Sequence, residues 1–173
     1  MERRAAASLE QKGRTLFGYA ARFGDRTAIG GFSEVIQPGA FRRTLAAPAA
    51  ASIRALYEHG DAALLGRVGA GTLRLSEDDV GLAFELDLPD TTLGRDLAEL
   101  VKRGDVDGCS FGFLPVKEEW QGELRSLQDV DLFEITLTSN PAYPSTTVSV
   151  RNGKQKQSLA NARRYLEFLE CIR

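Results

Sequence analysis

Cysteine and histidine are scarce in this chain of 173 residues, which has two cysteines, Cys109 and Cys171, and one histidine, His59. These are too few for a clustered Cys/His metal site, so we expect neither a bound metal nor a cofactor. The two cysteines could form at most one disulfide, and nothing in the sequence indicates an oxidising compartment.

An excess of one charge and long apolar runs are also missing. A formal net charge of -2 argues against a surface that neutralises many phosphates, so no nucleic-acid partner is expected. No apolar run reaches the ~18 residues of a membrane-spanning helix, so no membrane association is expected. The opening stretch MERRAAASLEQKG lacks the apolar region of a signal peptide. We therefore expect the protein to stay in the compartment where it is made.

The remaining composition is that of an ordinary globular protein, with 43% hydrophobic and 27% charged residues. The length suits one domain with one core. We predict a flexible lead over residues 1–14, a folded domain over 15–151, and a linker with an amphipathic C-terminal helix over 152–173. The apolar stripe of that helix would pack on its own domain, on a partner or on another copy, which leaves a homodimer or oligomer open.

Alternating apolar residues dominate the domain. Residues 73–75 and 82–88 alternate on either side of the polar stretch SEDDVG and predict a hairpin. Helical spacing replaces this alternation over residues 93–101, and GAFRRTLAA predicts a second, short helix. With seven or eight strands, the pattern predicts a mainly β fold with flanking helices. The specific expectation is a single closed or nearly closed antiparallel β-barrel of about seven strands, surrounded by helices.

The stretch DVDGCSFGF places Ser110 between two glycines on one face of a predicted strand, with Cys109, Phe111 and Phe113 on the other. A glycine within a strand often marks the close approach of a ligand or another backbone, and a peptide beside Ser110 would need that clearance. Ser110 is therefore a candidate nucleophile. The alternative interpretation is a small residue that faces solvent.

A serine nucleophile needs a base, and His59 is the one histidine of the chain. A third, acidic residue would hold the imidazole tautomer. In VDLFEITLTSNPAY we expect Phe133, Ile135 and Leu137 to point inward. Glu134 would then lie on the other face, as the orienting acid or as an ordinary solvent-facing residue. Asp61, Asp129 and Asp131 are the rival candidates for the acid.

Four segments together resemble the phage prohead maturation proteases of the HK97 type, which are relatives of the herpesvirus capsid assemblins. These segments are GGFSEVIQPGAF, LYEHG, LPDTTLGRDLAELVKRGDVDGCSFGF and FEITLTSNPAYPST, and they follow the family order over roughly residues 15–150. The resemblance implies a serine endopeptidase with Ser110 as nucleophile and His59 as base. The assemblins use a second histidine as the third residue, which this chain lacks, so Glu134 is placed there.

The resemblance also implies a role in virion assembly, in a phage, a prophage or a gene transfer agent. Such an enzyme acts inside the assembling prohead in the bacterial cytoplasm. It cleaves the scaffolding segment of the major capsid protein, and often itself. Two alternatives stay open: a catalytically silent scaffolding or assembly chaperone with the same barrel, and a serine hydrolase of small esters. The latter would need an enclosed pocket, whereas a glycine-cleared strand suits an extended peptide.

Overall fold

A computed structural model describes residues 2–6, 10–12 and 14–140, which form eleven strands and two α-helices. The strands are β1 (Glu2–Ala6), β2 (Glu10–Lys12), β3 (Thr15–Arg22), β4 (Thr27–Ile29), β5 (Phe32–Ile36), β6 (Arg54–Tyr57), β7 (Leu64–Arg67), β8 (Leu73–Glu77), β9 (Gly81–Asp87), β10 (Gly108–Gln121) and β11 (Leu124–Thr138). The helices are α1 (Arg42–Ala46) and α2 (Thr92–Arg103), and short 3₁₀ turns cover Pro48–Ser52 and Val68–Ala70.

These strands pair into two sheets. The first runs in the order β1-β10-β11-β5-β4, with β6 also paired to β11 and β7 to β6. The second runs in the order β2-β3-β9-β8. The prediction of a mainly β fold with few helices is confirmed. The pairings among the described residues form no closed barrel, so closure stays a prediction.

The expectation of an antiparallel sheet is wrong along β11. Its first part pairs in parallel with β5, and its last part, from Glu134 to Leu137, pairs in parallel with β6. Helix α1 fills the gap between these two strands. There the backbone N–H groups of Val130 and Leu132 donate to Ala40 O at 3.0 Å and Thr44 Oγ1 at 3.2 Å. Strands that share a direction need such a crossover, which a sequence of hairpins does not supply.

A β-bulge interrupts the β10–β11 hairpin at Phe133. Gly112 pairs with Glu134 and Phe113 with Leu132, so Phe133 has no opposite residue. The expectation that Phe133 points inward with Ile135 and Leu137 is therefore wrong, because its side chain is 40% exposed while theirs are buried. The extra residue resets the alternation, so that Leu132 and Ile135 both reach the core.

Helix α2 directly precedes β10 in the chain. The Thr91 side chain accepts a hydrogen bond from the Gly94 N–H at 3.1 Å, as expected for an N-cap. Lys102 and Arg103 lie in the last turn, and Gly104 closes the helix at a positive φ of 79°. The start and the end of the helix are therefore both set by local sequence.

Other expectations concern the termini. Residues 2–6 and 10–12, within the predicted flexible lead, form β1 and β2. The predicted last strand in TTVSVR, the linker and the C-terminal helix lie outside the described residues, so the division into 1–14, 15–151 and 152–173 stays a prediction. Of the helices described, none has the length and apolar character to cross a membrane.

We expect Thr91→Ala to lower the free energy of unfolding by about 1 kcal/mol, because the Gly94 N–H loses its partner at the start of α2. Urea denaturation would measure the loss, and Thr91→Ser, which keeps the hydroxyl, should restore most of it. Equal stability of the alanine variant and the native chain would contradict the capping role.

Candidate active site

Ser110 lies on β10, the second strand from one edge of the first sheet. Its strand β10 is flanked by β1, where Ala5 is opposite Ser110, and by β11, where Thr136 is opposite Ser110. The residue is only 3% exposed, so it does not face solvent as in the alternative interpretation. Because both edges of β10 are paired here, a peptide cannot add to this strand unless it displaces β1.

Position 112 requires a glycine, because a neighbouring side chain occupies the space that a Cβ atom would fill. A Cβ atom at this position would lie 2.7 Å from Cγ of Glu134 and 3.0 Å from its Oε1. The Glu134 side chain thus lies flat across Gly112, in the space that a larger residue would fill. The clearance that we predicted for a substrate is, at this glycine, occupied by a carboxylate of the protein itself.

Glu134 is a buried acid, with a side chain that is 1% exposed. It follows the bulged residue Phe133 directly and pairs with Gly112 of β10 on one side and Arg54 of β6 on the other. Bulges often lie beside active sites, where they redirect a side chain. The expectation of an ordinary solvent-facing glutamate is therefore wrong.

His59 lies in a tight turn that follows β6. The Gly60 N–H donates to Tyr57 O at 2.9 Å, and the two central residues, Glu58 and His59, have φ values of 48° and 56°. Positive φ at both central positions is the signature of a type I′ turn, which normally takes glycine, asparagine or aspartate. Each such non-glycine residue costs about 1–3 kcal/mol, which surrounding contacts must offset.

This turn brings His59 onto Glu134. Nδ1 of His59 lies 2.9 Å from Oε1 of Glu134, and the imidazole is 23% exposed. A carboxylate only accepts hydrogen bonds, so Nδ1 donates, and a neutral imidazole then carries its lone pair on Nε2. That is the tautomer in which a histidine takes a proton from a serine.

The relation of His59 to Ser110 follows from the strand register. Oε1 of Glu134, which holds the imidazole, lies above Gly112, two residues along β10 from Ser110. Side chains at this spacing on one strand are about 7 Å apart. Within residues 14–140 no hydrogen bond joins Ser110 Oγ to His59. Such contacts often form only once substrate is bound, so the open spacing is compatible with catalysis.

The rival acids are engaged elsewhere. Asp61 pairs with Arg54 at 3.1 Å, and Asp129 and Asp131 pair with Arg43 at 2.7 and 2.6 Å. Of the four predicted candidates, Glu134 is the acid that contacts His59.

Cys109, next to Ser110, is not a competing nucleophile. Its side chain is fully buried on the opposite face, among Phe111 and other core residues. Burial raises the pKa of the Cys109 thiol far above its ordinary value, and an inert buried thiol is the expected result.

Two further polar residues border this site. Thr136, opposite Ser110, has a buried hydroxyl without a hydrogen-bond partner among the described residues. Glu58 binds the end of β11 through its carboxylate. Glu58 was not among the candidate residues predicted from the sequence. The sequence signal for Glu58 was its position at the end of a strand, directly before the one histidine.

A serine, a histidine and a buried carboxylate near one another on the first sheet are the groups of a serine protease. A sequence model of the family described as caudovirus prohead serine protease matches residues 1–161. The chain belongs to this family. It is therefore a serine protease of phage capsid maturation, and it acts on capsid proteins inside the prohead. No curated protein and no solved structure matched the chain.

We expect Gly112→Ala to displace the Glu134 side chain, because the new Cβ would lie 2.7 Å from its Cγ. The hydrogen bond to His59 should lengthen, and overpacking should cost about 1–3 kcal/mol of stability. With one histidine in the chain, a spectrum of isotope-labelled histidine reports on His59 alone. Its imidazole resonances should shift in this variant.

The matched control is Gly31→Ala, since nothing lies within 4 Å of the position of its Cβ among the described residues. Unchanged imidazole resonances in Gly112→Ala would contradict the packing of Glu134 on this glycine.

Proposed function

We propose that Ser110 is the nucleophile, His59 the general base and Glu134 the orienting acid of this protease. The observation that carries the proposal is the 2.9 Å contact between Nδ1 of His59 and the buried Glu134 carboxylate, which lies over the strand of Ser110. A carboxylate that is 1% exposed and paired with an imidazole would be an unfavourable arrangement if it served stability alone. Each buried ion loses several kcal/mol of hydration.

In the first half of the reaction, the Ser110 hydroxyl proton passes to Nε2 of His59 as Oγ bonds to the peptide carbonyl carbon. Glu134 stabilises the imidazolium without taking its proton. When the carbonyl re-forms, the C–N bond breaks and the proton on Nε2 leaves with the amine. An acyl group then remains on Ser110.

In the second half of the reaction, water releases the acyl group from Ser110. His59 takes a proton from the water as its oxygen bonds to the acyl carbon, and it returns that proton to Ser110 Oγ as the ester bond breaks. The His59 side chain is 23% exposed, so solvent reaches part of the residue. No metal or cofactor takes part in any of these steps.

The substrate that we propose is the scaffolding segment of the major capsid protein, with the chain itself as a second substrate. Ser110 is 3% exposed and both edges of β10 are paired, so we expect an extended peptide to take the place of β1 beside this strand. Cleavage would occur inside the prohead as it assembles in the bacterial cytoplasm.

Ser110→Ala should abolish this cleavage. Co-expression with the capsid protein, followed by mass spectrometry, should show a shortened capsid protein with the native chain and a full-length one with the variant. The loss of a nucleophile costs on the order of 10⁴-fold or more in rate. Ser76→Ala, on an exposed part of β8, is the matched control and should leave cleavage intact.

Equal cleavage by the native chain and Ser110→Ala would reject Ser110 as nucleophile. If neither produced a shortened capsid protein while capsids still formed, a non-catalytic scaffolding chaperone would be the better description.

Glu134→Gln should lower kcat by about 10⁴-fold, because an amide can donate to Nδ1 and so stabilise the wrong imidazole tautomer. Peptide cleavage under single-turnover conditions would measure this. Glu123→Gln makes the same chemical change at an exposed hairpin turn and serves as control. A loss below tenfold would show that Glu134 does not orient the base.

A further inference from the structure

Glu58 makes an unusual set of contacts for the residue that precedes a candidate base. Its two carboxylate oxygens accept three hydrogen bonds from the end of β11: from Thr138 Oγ1 at 2.7 Å, from the Ser139 N–H at 2.8 Å and from Ser139 Oγ at 2.9 Å. Its own backbone N–H donates to Leu137 O at 3.0 Å. The residue is thus bound to β11 through both side chain and backbone.

These contacts oppose the intrinsic preference of the turn. Glu58 and His59 both have positive φ, which side chains of their kind rarely adopt. The Gly60-to-Tyr57 hydrogen bond closes the turn but does not fix its direction relative to the sheet. The Glu58 carboxylate does so, because its partners, Thr138 and Ser139, lie at the end of the strand that carries Glu134 and directly after it.

The electrostatics agree with a firmly held carboxylate. Burial by itself would raise the pKa of Glu58, but the donors from Ser139 and Thr138 outweigh it and hold the pKa below its ordinary value. Proximity to His59 acts in the same direction. Near neutral pH the group is therefore a charged acceptor, the form that holds these donors most strongly.

We propose that Glu58 is a positioning residue that holds the His59 turn against β11, so that the imidazole meets Glu134 and faces Ser110. The proposal rests on the proposed roles of His59 and Ser110. The two carboxylates then have separate functions: Glu134, in β11, sets the tautomer, and Glu58, in the turn after β6, sets the position of the backbone that carries the ring. A misplacement of about 1 Å is enough to cost about 10²-fold in rate.

The test compares Glu58→Ala, Glu58→Gln and the exposed control Glu123→Ala. The rate at which a fluorophosphonate labels Ser110 measures the reactivity of the site without the capsid substrate. We expect Glu58→Ala to slow labelling by about 10²-fold and to shift the imidazole resonances of the one histidine. Glu58→Gln should recover part of the rate, because its amide oxygen still accepts from Thr138 or Ser139. Glu123→Ala should match the native chain.

Thermal unfolding separates positioning from folding. If Glu58→Ala does not fold, Glu58→Gln and Thr138→Val, which each remove part of the contact, must slow labelling in the folded protein. Native labelling rates and native imidazole resonances in the folded variants would overturn the proposal.

A failure of the proposed catalytic roles would look different. The native chain and Ser110→Ala would then be labelled alike, whereas the imidazole resonances would still reveal whether Glu58 positions His59.

Discussion

The contact between the buried Glu134 carboxylate and His59 is the constraint on which the surrounding structure depends. A carboxylate that is 1% exposed needs a partner, since its lost hydration costs several kcal/mol. The partner arrives from a turn at the end of β6, 75 residues earlier in the chain. Parallel pairing of β6 with β11 brings that turn to the correct end of the strand.

Departures from regular structure cluster around this contact. Phe133 bulges from β11 immediately before Glu134, Gly112 offers no side chain beneath it, and the His59 turn holds two non-glycine residues at positive φ. Each departure is unfavourable when it is considered locally. Most of a protein sequence avoids such local conflicts. A concentration of these conflicts at one place is typical of a functional site.

The regular parts of the fold were predictable because their signals are local. The cap at Thr91, the stop at Gly104 and the alternation of β8 and β9 all act within a few residues. Parallel pairing along β11 was not predictable, because it depends on α1 filling a gap between two distant strands. The position of Phe133 was missed for a related reason: strict alternation cannot locate a bulge, which is defined by the partner strand.

The candidate site shows the same division. Period two predicted the face of β10 that Ser110 shares with Gly112. On β11 it separated Glu134 from Ile135 and Leu137 but failed at Phe133. Burial was not predictable, because it depends on what covers the sheet. The sequence also could not separate Glu134 from the rival aspartates. Arg43 and Arg54 form ion pairs with those aspartates, and sequence spacing does not indicate these contacts.

The pairing of β1 with β10 affects how the enzyme is made. Glu2 is opposite Phe113, so more than a hundred further residues must be synthesised after β1 before its partner segment exists. The turn that contains His59 likewise lacks its contacts until residues 134–139 have been synthesised. Contacts between such distant segments form late in folding. In a chain still in synthesis, His59 and Glu134 are therefore not yet in contact, and this contact forms only once β11 is in place.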